Sequence, residues 1–197
     1  TSDQGFFLGE HGLFDKRLMH EESFRTPLLV RYPSKVTPGT RSEELVQNID
    51  YAPTFLDFAG IEIPEDIQGE SLVPLLSGEI QHMREAVYYH YYEFPSTSFI
   101  NRHYGIRTMR YKLIHFYYTI DEWELYDLRN DPDETENIYS KPENAQLVQD
   151  LKDKLYALRE KYDDPPENDS IFIEKTMKNP HYKRHMEILK QKGYEYF

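Results

Sequence analysis

S-D-Q-G-F-F-L-G-E-H-G-L-F-D-K-R-L-M-H-E-E-S-F-R-T-P, residues 2–27, is the stretch around which the rest of the chain is arranged. It opens with an acid and an amide side by side, Asp3 and Gln4, followed by Gly5. Neighbouring side chains on an extended strand point to opposite faces, so both oxygens reach one point only if the backbone turns, and Gly5 permits that turn. A carboxylate and an amide carbonyl are hard donors suited to calcium or magnesium rather than zinc or copper. Calcium takes about six to eight oxygens, so further ligands must come from elsewhere in the fold or from substrate. Lys16 adds a flexible point charge, and a cation beside a metal can hold a tetrahedral oxyanion. Taken alone, Asp-Gln-Gly reads first as an ordinary Asx turn. The longer string decides.

Extended to D-Q-G-F-F-L-G-E-H-G-L-F-D-K-R-L-M-H-E-E-S-F-R-T-P-L-L-V-R-Y-P, the stretch resembles the third metal-binding segment of the type I sulfatases of the alkaline phosphatase superfamily. A match of this length is far more specific than a short pattern. The resemblance implies that Asp3 and Gln4 bind calcium and that Lys16 touches sulfate. His11, in G-E-H-G, is expected to be structural, and Arg25 to pair internally with Glu21 or Glu22. His20 follows Lys16 by four positions; on a helix the two would share a face, which makes His20 a catalytic candidate in the sulfate neighbourhood.

Sulfatases of this kind use a Cys or Ser in C-x-P-x-R or S-x-P-x-R, converted to formylglycine, whose hydrate attacks sulfur. This sequence contains no Cys, and none of its serines stands in that context. The chain, which starts at Thr1 in mid-motif, is therefore expected to be the C-terminal part of a longer polypeptide. It would carry half an active site, partnered by a missing N-terminal half, and would not turn over substrate alone.

Composition sets outer bounds. A chain of 197 residues buries one core, or a core plus an appendage. Its net charge of −12 repels polyanions, which argues against nucleic acid and anionic membranes and requires a local basic patch for any sulfated sugar. The lack of cysteine excludes disulfides without placing the protein in the cytosol. No apolar run is long enough to span a bilayer. The resemblance implies a periplasmic or secreted protein, lysosomal if eukaryotic.

After Pro27, the apolar residues 28–32 predict a buried strand and residues 45–49 a second one. Asp50 as N-cap, Pro53 in the first turn and Gly60 behind predict a helix over residues 51–59. Residues 71–76 read as a helical turn closed by Gly78. Alternating strand and helix is the tail of an α/β layered domain. From Ala86 the texture changes to strands at residues 86–92, 104–108, 111–116 and 123–128, whose short connections favour antiparallel pairing. Leu147, Leu151, Leu155 and Leu158 mark an amphipathic helix over residues 145–161. The expected architecture is thus α/β: the tail of an alkaline-phosphatase-like α/β domain (residues 1–82), then a small antiparallel four-stranded sheet packed on a C-terminal helix (residues 83–165), then an arm (residues 166–197). E-L-Y-D-L-R-N-D-P-D-E-T-E-N is similar to a signature of the sulfatase C-terminal subdomain.

Arg102, His103, Arg107, Arg110 and Lys112 form the basic cluster. It reads either as a solvated surface or, with the aromatics beside it, as a sugar site. His90, Arg102 and His103 are the candidate substrate contacts; either histidine equally suits a satisfied neutral ring, and each neighbouring Tyr suits core packing. Y-Y-H-Y-Y-E-F-P with R-H-Y-G-I-R-T-M-R-Y-K-L-I-H-F resembles the branch containing N-acetylglucosamine-6-sulfatases and heparan-degrading relatives. The rivals are a phosphodiesterase or phosphonate monoester hydrolase of the same superfamily, and a non-catalytic glycan-binding or oligomerisation module.

Overall fold

The structure, a computed structural model, describes residues 1–94, 100–118 and 120–191. Pro95 of the aromatic signature and the last six residues of the arm lie outside this set. A two-stranded hairpin, β1 (Phe7–Leu8) and β2 (Phe14–Asp15), is followed by a single helical turn, α1 (Glu21–Phe24). Helices α2 (Tyr51–Phe58) and α3 (Val73–Ser77) come next, each ended by a glycine with positive φ, Gly60 and Gly78.

The second half is a four-stranded antiparallel meander, β3 (Ala86–Tyr91), β4 (His103–Thr108), β5 (Tyr111–Phe116) and β6 (Glu122–Asp127). Met109-Arg110 makes the β4–β5 connection, tied by the Tyr111 amide donating to Thr108 Oγ1 at 2.9 Å. Helices α4 (Ala145–Lys161), α5 (Pro166–Lys178) and α6 (Pro180–Gln191) complete the chain. The arm is thus helical over its described residues apart from Asn179 between the two helices, α5 opening with Pro166 at the start of the helix, where a missing amide proton costs nothing.

Strand alternation gives the sheet two apolar faces. On one, Ile106, Leu113 and Leu125 lie in register across three strands and pack with Leu151 and Leu155 of α4. On the other, Ile114, Phe116 and Tyr126 pack with Met19, which is completely buried. Full burial of one such side chain is worth about 1.5–3 kcal/mol. The opening stretch is therefore stapled across the face of the sheet opposite α4.

Two expectations for the first half are corrected. Residues 28–32 and 45–49 form no strands, and Leu29 is 85% exposed. An apolar run becomes a strand only beside another strand that takes its backbone hydrogen bonds, and among the described residues none lies there. Asp50 directly precedes α2, but its side chain makes no capping hydrogen bond to that helix. Its carboxylate is fully buried, accepts the Gln47 and Glu70 amides at 2.7 and 2.9 Å, and takes both guanidinium nitrogens of Arg84 at 2.6 and 2.9 Å. It thereby joins the start of α2 to the strand entry at Arg84.

Candidate functional site

One open cavity of about 2530 Å³ lies between the opening stretch, the loops of residues 26–49 and the outer edge of the sheet. Asp3, Gln4, Lys16, Arg25, His90, Tyr92 and Asp164 are among its lining residues. Three of the expected site residues, Asp3, Gln4 and Lys16, thus border one space although thirteen positions separate the first from the last.

The local backbone explains how. Gly5 turns under α1, its amide donating to the Ser23 carbonyl at 2.8 Å. Its φ is not positive, so the glycine is not needed for a left-handed turn. It is needed because a Cβ there would run into the Glu22 carbonyl oxygen and sit 3.2 Å from that of Arg25. Gly5→Ala is expected to lower stability by about 1–3 kcal/mol and displace Asp3 and Gln4; urea unfolding of the variant checks it. Around Lys16 the chain is contorted: Asp15 and Arg17 both hold positive φ, 84° and 98°, and pair with each other through carboxylate and guanidinium.

His20 is not brought to Lys16. Residues 16–20 form bends, not a helix, and the His20 ring is buried between His11, 4.6 Å away by centroids, and Tyr126 at 5.7 Å. Nor does Arg25 make the expected pair. Glu21 takes Arg107 at 3.3 Å and Lys112 at 2.9 Å, and Glu22 takes His11 at 3.4 Å, while Arg25 is exposed on the cavity.

The basic cluster is not a single patch, and of its five residues only Arg110 is exposed. Arg102 is fully buried, donating from Nε to the Phe94 carbonyl and from Nη2 to Thr176 Oγ1 at 2.8 Å. His103 is fully buried with Nδ1 against the Asn101 carbonyl at 2.8 Å. Arg110 pairs with Asp127 at 2.7 Å, and Lys112, fully buried, bridges Glu21 and Glu134 at 2.6 Å from the latter. Each cation already has a structural partner, and neither Arg102 nor His103 lines the cavity.

His90 does line it, yet both ring nitrogens are engaged: Nδ1 with Asp164 at 2.6 Å and Nε2 with the Tyr117 hydroxyl at 2.6 Å. Burial lowers its pKa against the pull of Asp164 and favours the neutral ring. Burial alone would raise Asp164, but hydrogen bonds from His90, Tyr88 and Tyr92 hold its carboxyl well below the usual range. His90, Asp164 and Asp169 bring their ligand atoms within 4.8 Å of one another, a spacing open to a metal. The Arg159 guanidinium already balances them, 2.8 Å from Asp169 and 3.9 Å from Asp164, so the group is a closed ion network.

Two buried histidines carry a pH signature. Burial pushes His20 down to about 3 and His103 down to about 4. Unfolded imidazoles take up protons near pH 6.5, so below that the unfolded chain binds more protons and the folded chain loses stability. The contribution is complete above about pH 6.5 and shrinks as pH falls toward the folded values. Between about pH 7.5 and 5 the expected loss is about 2 kcal/mol per histidine, read as a falling urea midpoint that flattens when both rings are replaced.

Sequence reasoning missed Ser23, Tyr89 and Glu134. Glu134, at φ 49°, reaches back 113 residues to accept the Glu21 amide at 2.6 Å and so caps α1. Its only trace in the sequence is a place in the D-P-D-E-T turn.

Residues 9–161 match the family model described as N-sulphoglucosamine sulphohydrolase, C-terminal, so the chain belongs to the sulfatase family and this region is its C-terminal domain. Among curated relatives, N-acetylglucosamine-6-O-sulfatase of Bacteroides thetaiotaomicron is 52% identical over 178 residues, 88% of this chain and 32% of that protein. The solved structure of BT4656 in complex with its substrate D-glucosamine-2-N,6-O-disulfate superposes with a TM-score of 0.79 at 52% identity, covering 83% of this chain and 34% of that one. Phosphonate monoester hydrolase of Agrobacterium radiobacter superposes at 0.70 with 25% identity, covering 81% and 34%. The chain spans about a third of the length of these relatives. No helix among the described residues is long and apolar enough to cross a membrane.

Proposed function

We propose that this chain is the C-terminal part of a sulfatase that hydrolyses sulfate monoesters, with the 6-O-sulfate of N-acetylglucosamine in heparan-type glycans as its substrate class. The observation that carries the proposal is that Asp3, Gln4 and Lys16 all lie on the wall of one cavity, which many other residues also line. Asp3 and Gln4 fit part of a calcium shell. Both offer hard oxygen atoms to the cavity, and the only hydrogen bond to the Asp3 carboxylate among the described residues is from the neighbouring Ser2 hydroxyl, at 3.3 Å. Bound there, calcium would polarise the sulfate oxygens. Lys16 neutralises charge as it develops on the sulfuryl group, and its ammonium can follow the oxygens while the ester bond opens.

The nucleophile, a formylglycine, and the remaining metal ligands come from the rest of the polypeptide, so this chain alone releases no sulfate. Residues 1–82 complete the α/β catalytic domain, residues 83–165 form the sheet-and-helix subdomain, and residues 166–197 the arm. His90 serves the sugar wall through the Asp164 network rather than by donating directly, since both of its nitrogens are occupied. Arg102 and His103 support that wall from within the core, and His20 supports the opening stretch. The setting is periplasmic or secreted, and lysosomal in a eukaryote.

The whole protein is assayed on N-acetylglucosamine 6-sulfate, an aryl phosphonate monoester and a phosphodiester, with and without chelator. Sulfate release that calcium restores is the expected result. Preference for either phosphorus ester moves the protein to the hydrolase reading that the Agrobacterium neighbour supports. Sulfated-oligosaccharide binding by this chain without turnover by the whole protein points instead to a non-catalytic module.

A further inference from the structure

Ser23 sits where the two halves of the candidate site meet. It is 6% exposed, in the middle of the single turn α1. Its carbonyl accepts the Gly5 amide at 2.8 Å, one residue after the ligand pair Asp3-Gln4. Its hydroxyl oxygen accepts the Arg17 amide at 3.1 Å, one residue after Lys16. The far side of Arg17 is held as well, its carbonyl accepting the Tyr89 hydroxyl of β3 at 2.8 Å.

That double grip matters because of the backbone it holds. Asp15 and Arg17 flank Lys16 with φ of 84° and 98°, a conformation that costs non-glycine residues about 1–3 kcal/mol each and persists only where surroundings over-determine it. The surroundings here are Ser23, Tyr89 and the Asp15–Arg17 pair. Below Ser23, α1 is in turn fixed to the sheet, since Glu134 accepts the Glu21 amide and Lys112 and Arg107 bind the Glu21 carboxylate. One short helical turn thus sets the offset between the oxygen donors and the ammonium group.

We infer that Ser23 is the positioning residue of the site: its hydroxyl locks the turn that presents Lys16, while its carbonyl locks the turn that presents Asp3 and Gln4. The two functions are chemically separable, because Ser23→Ala removes only the hydroxyl. The role rests on the sulfatase reading given above; the contact geometry does not.

Two measurements test it. By amide hydrogen exchange on the whole protein, Ser23→Ala is expected to speed exchange at Arg17 at least tenfold while Gly5 keeps its wild-type protection; unchanged exchange at Arg17, or equal loss at both amides, overturns the separable lock. In the whole protein, Ser23→Ala is expected to lower kcat/KM for sulfate-ester hydrolysis by about ten- to a hundredfold, with calcium affinity within twofold of wild type. In a Lys16→Ala background the same change adds nothing, because the group it positions is gone. Ser23→Thr, which keeps a hydroxyl, restores most of the rate. Losses that add independently in the double variant, or a matching fall in calcium affinity, overturn the positioning role while leaving the sulfatase reading intact. A wild-type protein without sulfatase activity overturns that reading, and the positioning role with it, whatever the exchange data show.

Discussion

Lys16→Ala in the whole protein is expected to lower kcat for sulfate-ester hydrolysis by about 10²–10³-fold, the cost of removing one donor aimed at developing oxyanion charge. The lysine borders the same cavity as Asp3 and Gln4 and directly precedes Arg17, whose amide and carbonyl are both held by hydrogen bonds. In the proposed role the ammonium contacts the bound sulfate as well as the charge that develops on it, so the loss is expected in both KM and kcat, the larger part in kcat. Asp3→Ala is expected to be at least as damaging by another route: calcium affinity falls together with rate, and added calcium recovers part of the activity. Steady-state kinetics with a parallel calcium titration separates the two variants. If both retain the wild-type rate, the assignment of this wall is wrong.

The second large effect is on stability. Lys112 is fully buried, 2.9 Å from Glu21 and 2.6 Å from Glu134, and ties three distant segments of the chain together. The two acids respond differently. Burial would raise Glu21, yet Lys112 and Arg107 hold it below its ordinary value; at Glu134 burial prevails over Lys112 and the carboxyl is raised. Removing the shared cation leaves two interior carboxylates facing each other, so Lys112→Met is expected to cost about 3–5 kcal/mol at neutral pH. The penalty should shrink toward acid pH, where Glu134 can take up a proton. Lys112→Met with Glu134→Gln should recover much of the loss, because the charge left uncompensated is then gone. Urea unfolding of the two variants measures both numbers, and a single-variant loss under about 1 kcal/mol would show that the network carries no such weight.

Legibility in the sequence followed the range of the forces involved. The sheet and α4 could be read to within a residue or two, because period-two aromatics in β3 and the leucines at 147, 151, 155 and 158 are local signals that the core then uses. Residues 28–32 misled for the complementary reason: hydrophobicity marks a wish to be buried, but a strand requires a neighbour, which no local pattern reveals. Gly5 was singled out correctly for the wrong cause, since its close approach to the Glu22 carbonyl depends on where α1 lies. Charge in a row told least. Arg102, Arg107, Arg110 and Lys112 lie within eleven residues, but their partners come from residues 21, 94, 127, 134 and 176, pairings that no local pattern reveals. Ser23 was unreadable for a similar reason, as nothing in E-E-S-F announces that one hydroxyl will hold a turn six residues back.

Leu8 and Phe14, each 75% exposed, with Leu29, Phe55 and Ile61, leave the opening third of this chain with bare hydrocarbon when it is prepared without the rest of the polypeptide proposed above. In a concentrated preparation such a molecule is adhesive. A net charge of −12 offers only limited protection, because at physiological ionic strength repulsion fades beyond about 8 Å, whereas greasy contact needs none of that reach. Its sedimentation profile should therefore depend on dilution and salt, and storage at low ionic strength should keep it dispersed.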